Sequence, residues 1–290
     1  MLEDSERQKY SLDEWDEEFT NIYGSIDSKR KPAEMWLLMV EDASHFAESI
    51  RRERYGTALN NLAHVFCWVC SFVSRCREDD DPLLVIEKPM SQIVWDKYPY
   101  ACCFCGHERC ICSVRRAELE ELSPEEKTEE AARVYRDLSA ARARVERRPA
   151  SLDGFSDMFG HIYKGAHYNL PIEAIILHFM EEVGEVSTCI RNIRERKPGQ
   201  QDNLDLRVEL EREIADIISW ICSSLSKLDY ILGAGKSLAL ASNASVVQTA
   251  DLTLSGIAWD AFKDKSGAHL WCPRCEERPC NCVPRALYGP

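Results

Sequence analysis

The segment Ser11–Tyr23 (SLDEWDEEFTNIY) recurs as Ser151–Tyr163 (SLDGFSDMFGHIY), 140 positions later. The alignment continues without a gap and sets Glu41 on Glu181, Asp42 on Glu182, Ile50 on Ile190 and Arg51 on Arg191. After a loop that is shorter in the first copy, Asn61–Val69 falls on Glu213–Ile221, and Trp95-Asp96 on Trp259-Asp260. A chain that repeats itself in this way is expected to fold as two like units that bury their apolar faces together. The expected divisions are residues 1–112, a linker over 113–150, and residues 151–290.

Within each copy the apolar period is helical. Ile172, Ile175, Ile176, Phe179, Val183, Val186 and Ile190 mark one face, and Ile214, Ile217, Ile218, Ile221 and Leu225 mark another. Period-two alternation is weak throughout, so the fold class expected is all-α. Each copy opens on Ser-Leu-Asp, an N-cap signal, and Ser11 with Glu14 fits a capping box. Pro32 and Pro171 stand where proline suits a helix start. In the first copy Trp36, Leu37, Phe46 and Ile50 keep an apolar face. Val114 to Pro149 is dense in Glu and Arg with Ala between, which reads as an exposed linker helix.

The 290 residues leave room for two domains, and the net charge of −13 argues against a nucleic-acid backbone as the main partner. No apolar run is long enough to span a bilayer, and the acidic start MLEDSERQKY does not read as a signal peptide. With 14 cysteines and no such signal, reduced thiols and metal sites are favoured over disulfides, so a cytoplasmic location is expected.

The chemistry is concentrated between His178 and Trp220. Glu182 and Glu185 share one helix face, and Glu213 and Asp216 repeat that spacing on the next helix. Acids this close to an apolar stripe are costly without a partner. If the helices pair antiparallel, four carboxylates converge and repel unless protonated or neutralised. A hard divalent cation such as Mg²⁺ neutralises them. A solvated helix face is the plainer reading.

The pattern Glu181-Glu182-x-x-Glu185, a spacer, then Glu213-x-x-Asp216 resembles the all-α nucleotide pyrophosphohydrolases of the MazG type, over roughly Ser151 to Leu228. The resemblance implies a four-helix unit, Mg²⁺ on Glu182, Glu185, Glu213 and Asp216, and cleavage of a nucleoside triphosphate to monophosphate and pyrophosphate. Glu181 would be a general base or a partner of the metal ligands; the resemblance does not decide between them, and a plain surface position is an equal alternative. Arg191 would touch substrate phosphate, whereas Arg194, Arg196 and Lys197 read as a solvated loop. His161, His167 and His178 have no role in this scheme. MazG-like chains pair to complete their helical units. The repeat therefore leads to an intramolecular pseudo-dimer, open to further homo-oligomerisation, in which the first half walls the second half's site.

Each copy ends in C-x2-C-x4-C-x-C: Cys102, Cys105, Cys110 and Cys112, then Cys272, Cys275, Cys280 and Cys282. Four thiolates in a compact loop suit tetrahedral Zn²⁺ with no open position, hence two structural zinc ions per chain. Disulfides and an iron–sulfur cluster are the alternatives. Cys67, Cys70, Cys76, Cys189 and Cys222 read as core thiols, and Cys103 stands next to the first cluster but outside the repeat.

At the acid positions the first copy has Asp42, His45, Asn61 and His64. Asn and His are poor Mg²⁺ ligands, so this reads as a decayed site kept for packing; a transition-metal site on Asp42, His45 and His64 is the sharper alternative. Gly235-Lys236-Ser237 resembles the end of a phosphate-binding loop, but Tyr230 stands where that motif needs glycine and no strand precedes it. Gly233–Ser245, a small-residue insertion of the second copy, reads as a flexible loop. The functional alternatives to a pyrophosphohydrolase are a nucleotide-binding sensor or scaffold with little turnover and a zinc-knuckle nucleic-acid adaptor.

Overall fold

A computed structural model describes residues 10–78, 84–167, 169–196, 204–241 and 252–282. Among them the regular structure is all α-helix apart from one short 3-10 turn at Val145–Arg147. The helices are α1 (Leu12–Asp27), α2 (Pro32–Arg51), α3 (Tyr55–Cys76), α4 (Met90–Lys97), α5 (Cys112–Glu121) and α6 (Pro124–Arg142). They continue as α7 (Leu152–His167), α8 (Ile172–Glu195), α9 (Leu204–Ala241) and α10 (Leu254–Phe262). None is long and apolar enough to cross a membrane among the described residues.

Local chemistry sets the helix starts. The Glu14 amide donates to Ser11 Oγ at 3.1 Å, and the Ser11 amide donates back to Glu14 Oε2 at 2.6 Å. This reciprocal cap satisfies donors that the first turn would otherwise orphan. Ser151 caps α7 more simply, accepting from the Gly154 amide at 3.1 Å. Pro32 opens α2, and Pro171 is the residue before α8. From its cap, α1 buries Leu12, Trp15, Phe19, Ile22 and Ile26, and α7 buries Leu152, Phe155, Phe159 and Ile162 at matching positions.

Packing follows the sequence repeat. In the first half α1 and α2 pack on α3, and α4 packs on α1. In the second half α7 and α8 pack on α9, and α10 packs on α7. The halves meet through α2 with α8 and α3 with α9, where Phe46 stands edge-on to Phe179 and Trp36 Nε1 donates to Ser187 Oγ. Within the first half's apolar set, Leu37 faces outward, 61% exposed, and so does Leu177 at the matching position, 70% exposed.

The tails are exchanged. Each tail helix starts on its own half: the Ser91 amide donates to Asp13, and the Ser255 amide donates to Asp153. Each then crosses over, α4 packing on α9 and α10 packing on α3. The cysteine loops that follow dock on the opposite half by the same bond, Cys110 N to Ile162 O and Cys280 N to Ile22 O, both 2.7 Å.

The charged linker is two helices, α5 and α6, the second opened by a Ser123–Glu126 capping box. The Arg115–Glu130 ion pair joins them, Arg133 pairs with Glu130 within α6, and Arg133 also donates to Cys105 O of the first cysteine loop. Gly233–Ala241, expected as part of a loop, is the last part of α9; Ser242–Ser245 lie outside the described residues.

Candidate metal centre

Facing turns of α8 and α9 bring three of the expected acids together. One carboxylate oxygen from each of Glu182, Glu185 and Glu213 lies within 4.8 Å of the others, a spacing that can hold a metal ion. Glu182 and Glu213 are half-buried between apolar neighbours such as Val183 and Ile214, while Glu185 is exposed. Burial chiefly, then the Asp216 charge, pushes the Glu182 carboxyl up to about 7. Burial likewise pushes Glu213 up to about 8, opposed by Lys97 and reinforced by Asp216, Glu185 and Glu182. A hard oxygen donor set that holds its charge only at a cost suits a divalent cation.

Asp216 lies beside the cluster but is held by other groups. Lys97 Nζ donates to Asp216 Oδ2, and the Tyr98 hydroxyl donates to Oδ1. Both partners come from the end of α4, in the other half of the chain. The Lys97 and Asp216 side chains are 10% and 8% exposed, so the pair is nearly sealed from water. Lys97 Nζ also donates to the Arg212 carbonyl at 3.2 Å.

Glu182 has a second restraint: Trp220 Nε1 donates to its Oε1 at 3.2 Å. That indole is stacked between two imidazoles, His167 at 4.6 Å and His178 at 5.0 Å, and Tyr163 stacks on the far side of His167 at 4.5 Å. Burial lowers the His167 pKa to about 4, so this ring is neutral near pH 7. His167 and His178, expected to be incidental, thus fix the indole that orients a cluster carboxylate. Glu181 stands outside the cluster, exposed, with its Oε2 3.2 Å from His178 Nδ1. Arg191 is exposed on α8, six residues beyond Glu185 and so about a third of a turn away from it around the helix. Lys197 lies outside the described residues.

The matching positions of the first half do not form such a group among the described residues. Trp68 Nε1 donates to Asp42 Oδ2 at 2.7 Å, the same bond that Trp220 makes to Glu182. Asn61 donates to Ser49 Oγ at 3.1 Å, and His45 Nδ1 is 3.6 Å from Asp42. His64 is packed edge-on against Phe262 of the exchanged tail at 5.0 Å, and burial lowers its pKa.

Both cysteine clusters are assembled. In each, the four Sγ atoms lie within 4.8 Å of one another, and all are free thiols. The close edges are 3.7 Å for Cys102–Cys112, 3.8 Å for Cys272–Cys282 and 3.6 Å for Cys275–Cys280. A tetrahedral site with Zn–S bonds of ~2.3 Å has S···S edges of ~3.8 Å, so the thiol geometry fits zinc. The loops turn alike: the Gly106 and Glu276 amides each donate to the first cysteine's carbonyl at 2.8 Å. Both residues adopt the left-handed region, φ 71° for Gly106 and 55° for Glu276.

Next to Lys97 is a cavity of about 800 Å³ between α4, α6 and the start of α9. Ile93, Phe104, Leu138 and Val208 supply apolar wall, and Lys97, Arg142 and Arg212 supply cations. Compared with known proteins, the chain matches no family model, no curated sequence and no solved structure.

Proposed function

We propose that the chain is a Mg²⁺-dependent nucleoside triphosphate pyrophosphohydrolase whose site lies in the second half, releasing a nucleoside monophosphate and pyrophosphate. The observation that carries this reading is the convergence of Glu182, Glu185 and Glu213 from two facing helices. Oxygen donors of this kind suit Mg²⁺ rather than a thiophilic metal. When bound, Mg²⁺ would engage phosphate oxygens and lower the pKa of an attacking water. Of the chain's own groups, Glu182 is oriented by Trp220, which is clamped by His167 and His178. Lys97 stands at the junction of the acids and the 800 Å³ cavity, which has the size of a small-molecule site and can take the nucleoside portion. Arg212 adds a cation there for phosphate. The resemblance to MazG-type enzymes points the same way.

The two four-cysteine clusters are read as structural zinc sites, each stapling one half's tail to the other half. The halves are read as a tandem duplication that forms an intramolecular pseudo-dimer, with the first half's acids lost and its packing retained.

One observation favours a second reading, a nucleotide-binding sensor with little turnover: Asp216 is engaged by Lys97 and Tyr98. Incubation of the full chain with nucleoside triphosphates and Mg²⁺, followed by phosphate-resolved chromatography, separates the two. Stoichiometric monophosphate and pyrophosphate support the enzyme. Bound but unchanged nucleotide supports the sensor and overturns the enzyme reading.

A further inference from the structure

The Lys97–Asp216 pair has an internal control. The repeat that sets Trp95-Asp96 on Trp259-Asp260 also sets Lys97 on Ala261 and Tyr98 on Phe262. It sets Asp216 on His64. The two tails therefore dock at matching places, Tyr98 on α9 and Phe262 against His64 on α3. In the first half that docking is made with Ala261, Phe262 and a half-buried imidazole. A tail does not need an ion pair to dock here. Only where the acids are present does the tail carry an ammonium and a hydroxyl. Taking two charges out of water is costly, and a packed apolar contact of similar size serves stability at least as well. The pair thus answers to the acids rather than to the packing.

The charges agree. Asp216 stands beside the cluster of Glu182, Glu185 and Glu213, on the same face of α9 as Glu213 and three residues further along. The Lys97 ammonium meets this group from the tail side and occupies both the Asp216 carboxylate and a backbone carbonyl of α9.

Building on the metal reading above, we propose that Lys97 is a resident cation of this site. Its ammonium takes the place a second divalent ion would have at Asp216, so the protein itself binds one divalent ion, on Glu182, Glu185 and Glu213. Lys97 is a positioning residue in this account: it holds Asp216 and sets the ion count. The first half thereby contributes a working group to the second half's site.

The test uses the full, zinc-loaded chain titrated with Mn²⁺ in the absence of nucleotide, with free Mn²⁺ read by electron paramagnetic resonance. Wild type should bind one tight equivalent. Lys97→Met, which keeps the stem and removes the charge, should bind two, with dipolar broadening between neighbouring ions. Lys97→Arg, which restores the charge, should return to one. Two equivalents in wild type overturn the proposal, and this arm needs no variant to fold. One equivalent of unchanged affinity in a folded Lys97→Met also overturns it. No Mn²⁺ bound by wild type overturns the metal reading itself, a result distinct from either.

Discussion

Glu213 and Glu182 carry their charge against resistance, and pH exposes this. A free glutamate titrates near ~4.3. In the folded chain burial pushes Glu182 to about 7 and Glu213 to about 8. The native state then holds protons that the unfolded chain has released. The stability these groups contribute is complete below the free value and is lost as pH rises through about 7 to 8. In protein without added divalent ion, Glu213→Gln should therefore gain melting temperature over wild type as pH rises from about 5.5 to about 8.5. Mg²⁺ should narrow that gap by stabilising wild type. A melting difference that is flat with pH would show that Glu213 is not perturbed. The acids themselves were legible, because i, i+3 spacing on an apolar-periodic helix projects both from one face. The capture of Asp216 was not, because Lys97 lies 119 residues away. Its only trace in the sequence is a difference between copies: Lys97-Tyr98 accompanies Asp216, and Ala261-Phe262 accompanies His64.

At the scale of elements, the cysteine loops act as clasps. Cys110 and Cys280 tie their loops to Ile162 and Ile22 of the opposite half. A metal held by such a loop contributes folding free energy directly. Elemental analysis should find two zinc equivalents in wild type and one in Cys275→Ser, with a lower melting temperature for the variant. Iron with a visible charge-transfer band, or no loss of metal in the variant, would refute this. The clusters were readable because the same three spacings among four cysteines occur twice. The length of α9 was not. Gly233 and Gly235 argue for a break, since each costs a helix interior about 1 kcal/mol relative to alanine, yet the helix runs to Ala241. The outward-facing Leu37 was misread for a related reason: it adjoins Trp36 in sequence, but helical period points neighbours about 100° apart.

At the scale of the molecule, the exchanged tails make the halves interdependent. A repeat has the same sequence whether each tail folds back on its own half or crosses to the other, so the crossing could not be read in advance. What could be read was the need for two like apolar faces to meet. Residues 151–290 made alone would lack α4 and the first cysteine loop, exposing the faces that hold Phe159 and Tyr163 against Tyr98. They should self-associate or precipitate, and co-production with residues 1–148 should restore a soluble one-to-one complex, read by light scattering. A well-behaved monomer of the second half with full turnover would contradict this account.

The most direct measurement is pyrophosphate release by the full chain, with Mg²⁺ and the common ribo- and deoxyribonucleoside triphosphates, for wild type and two single variants. Glu213→Gln removes a cluster carboxylate, and Asp42→Asn alters the matching region of the first half. Wild type should turn over only with the divalent ion. Glu213→Gln should lose at least ~10²-fold in rate, the scale expected when a catalytic metal site is broken, and Asp42→Asn should stay near wild type. Turnover that survives in Glu213→Gln, or that falls equally in Asp42→Asn, would contradict a site in the second half built on these three glutamates.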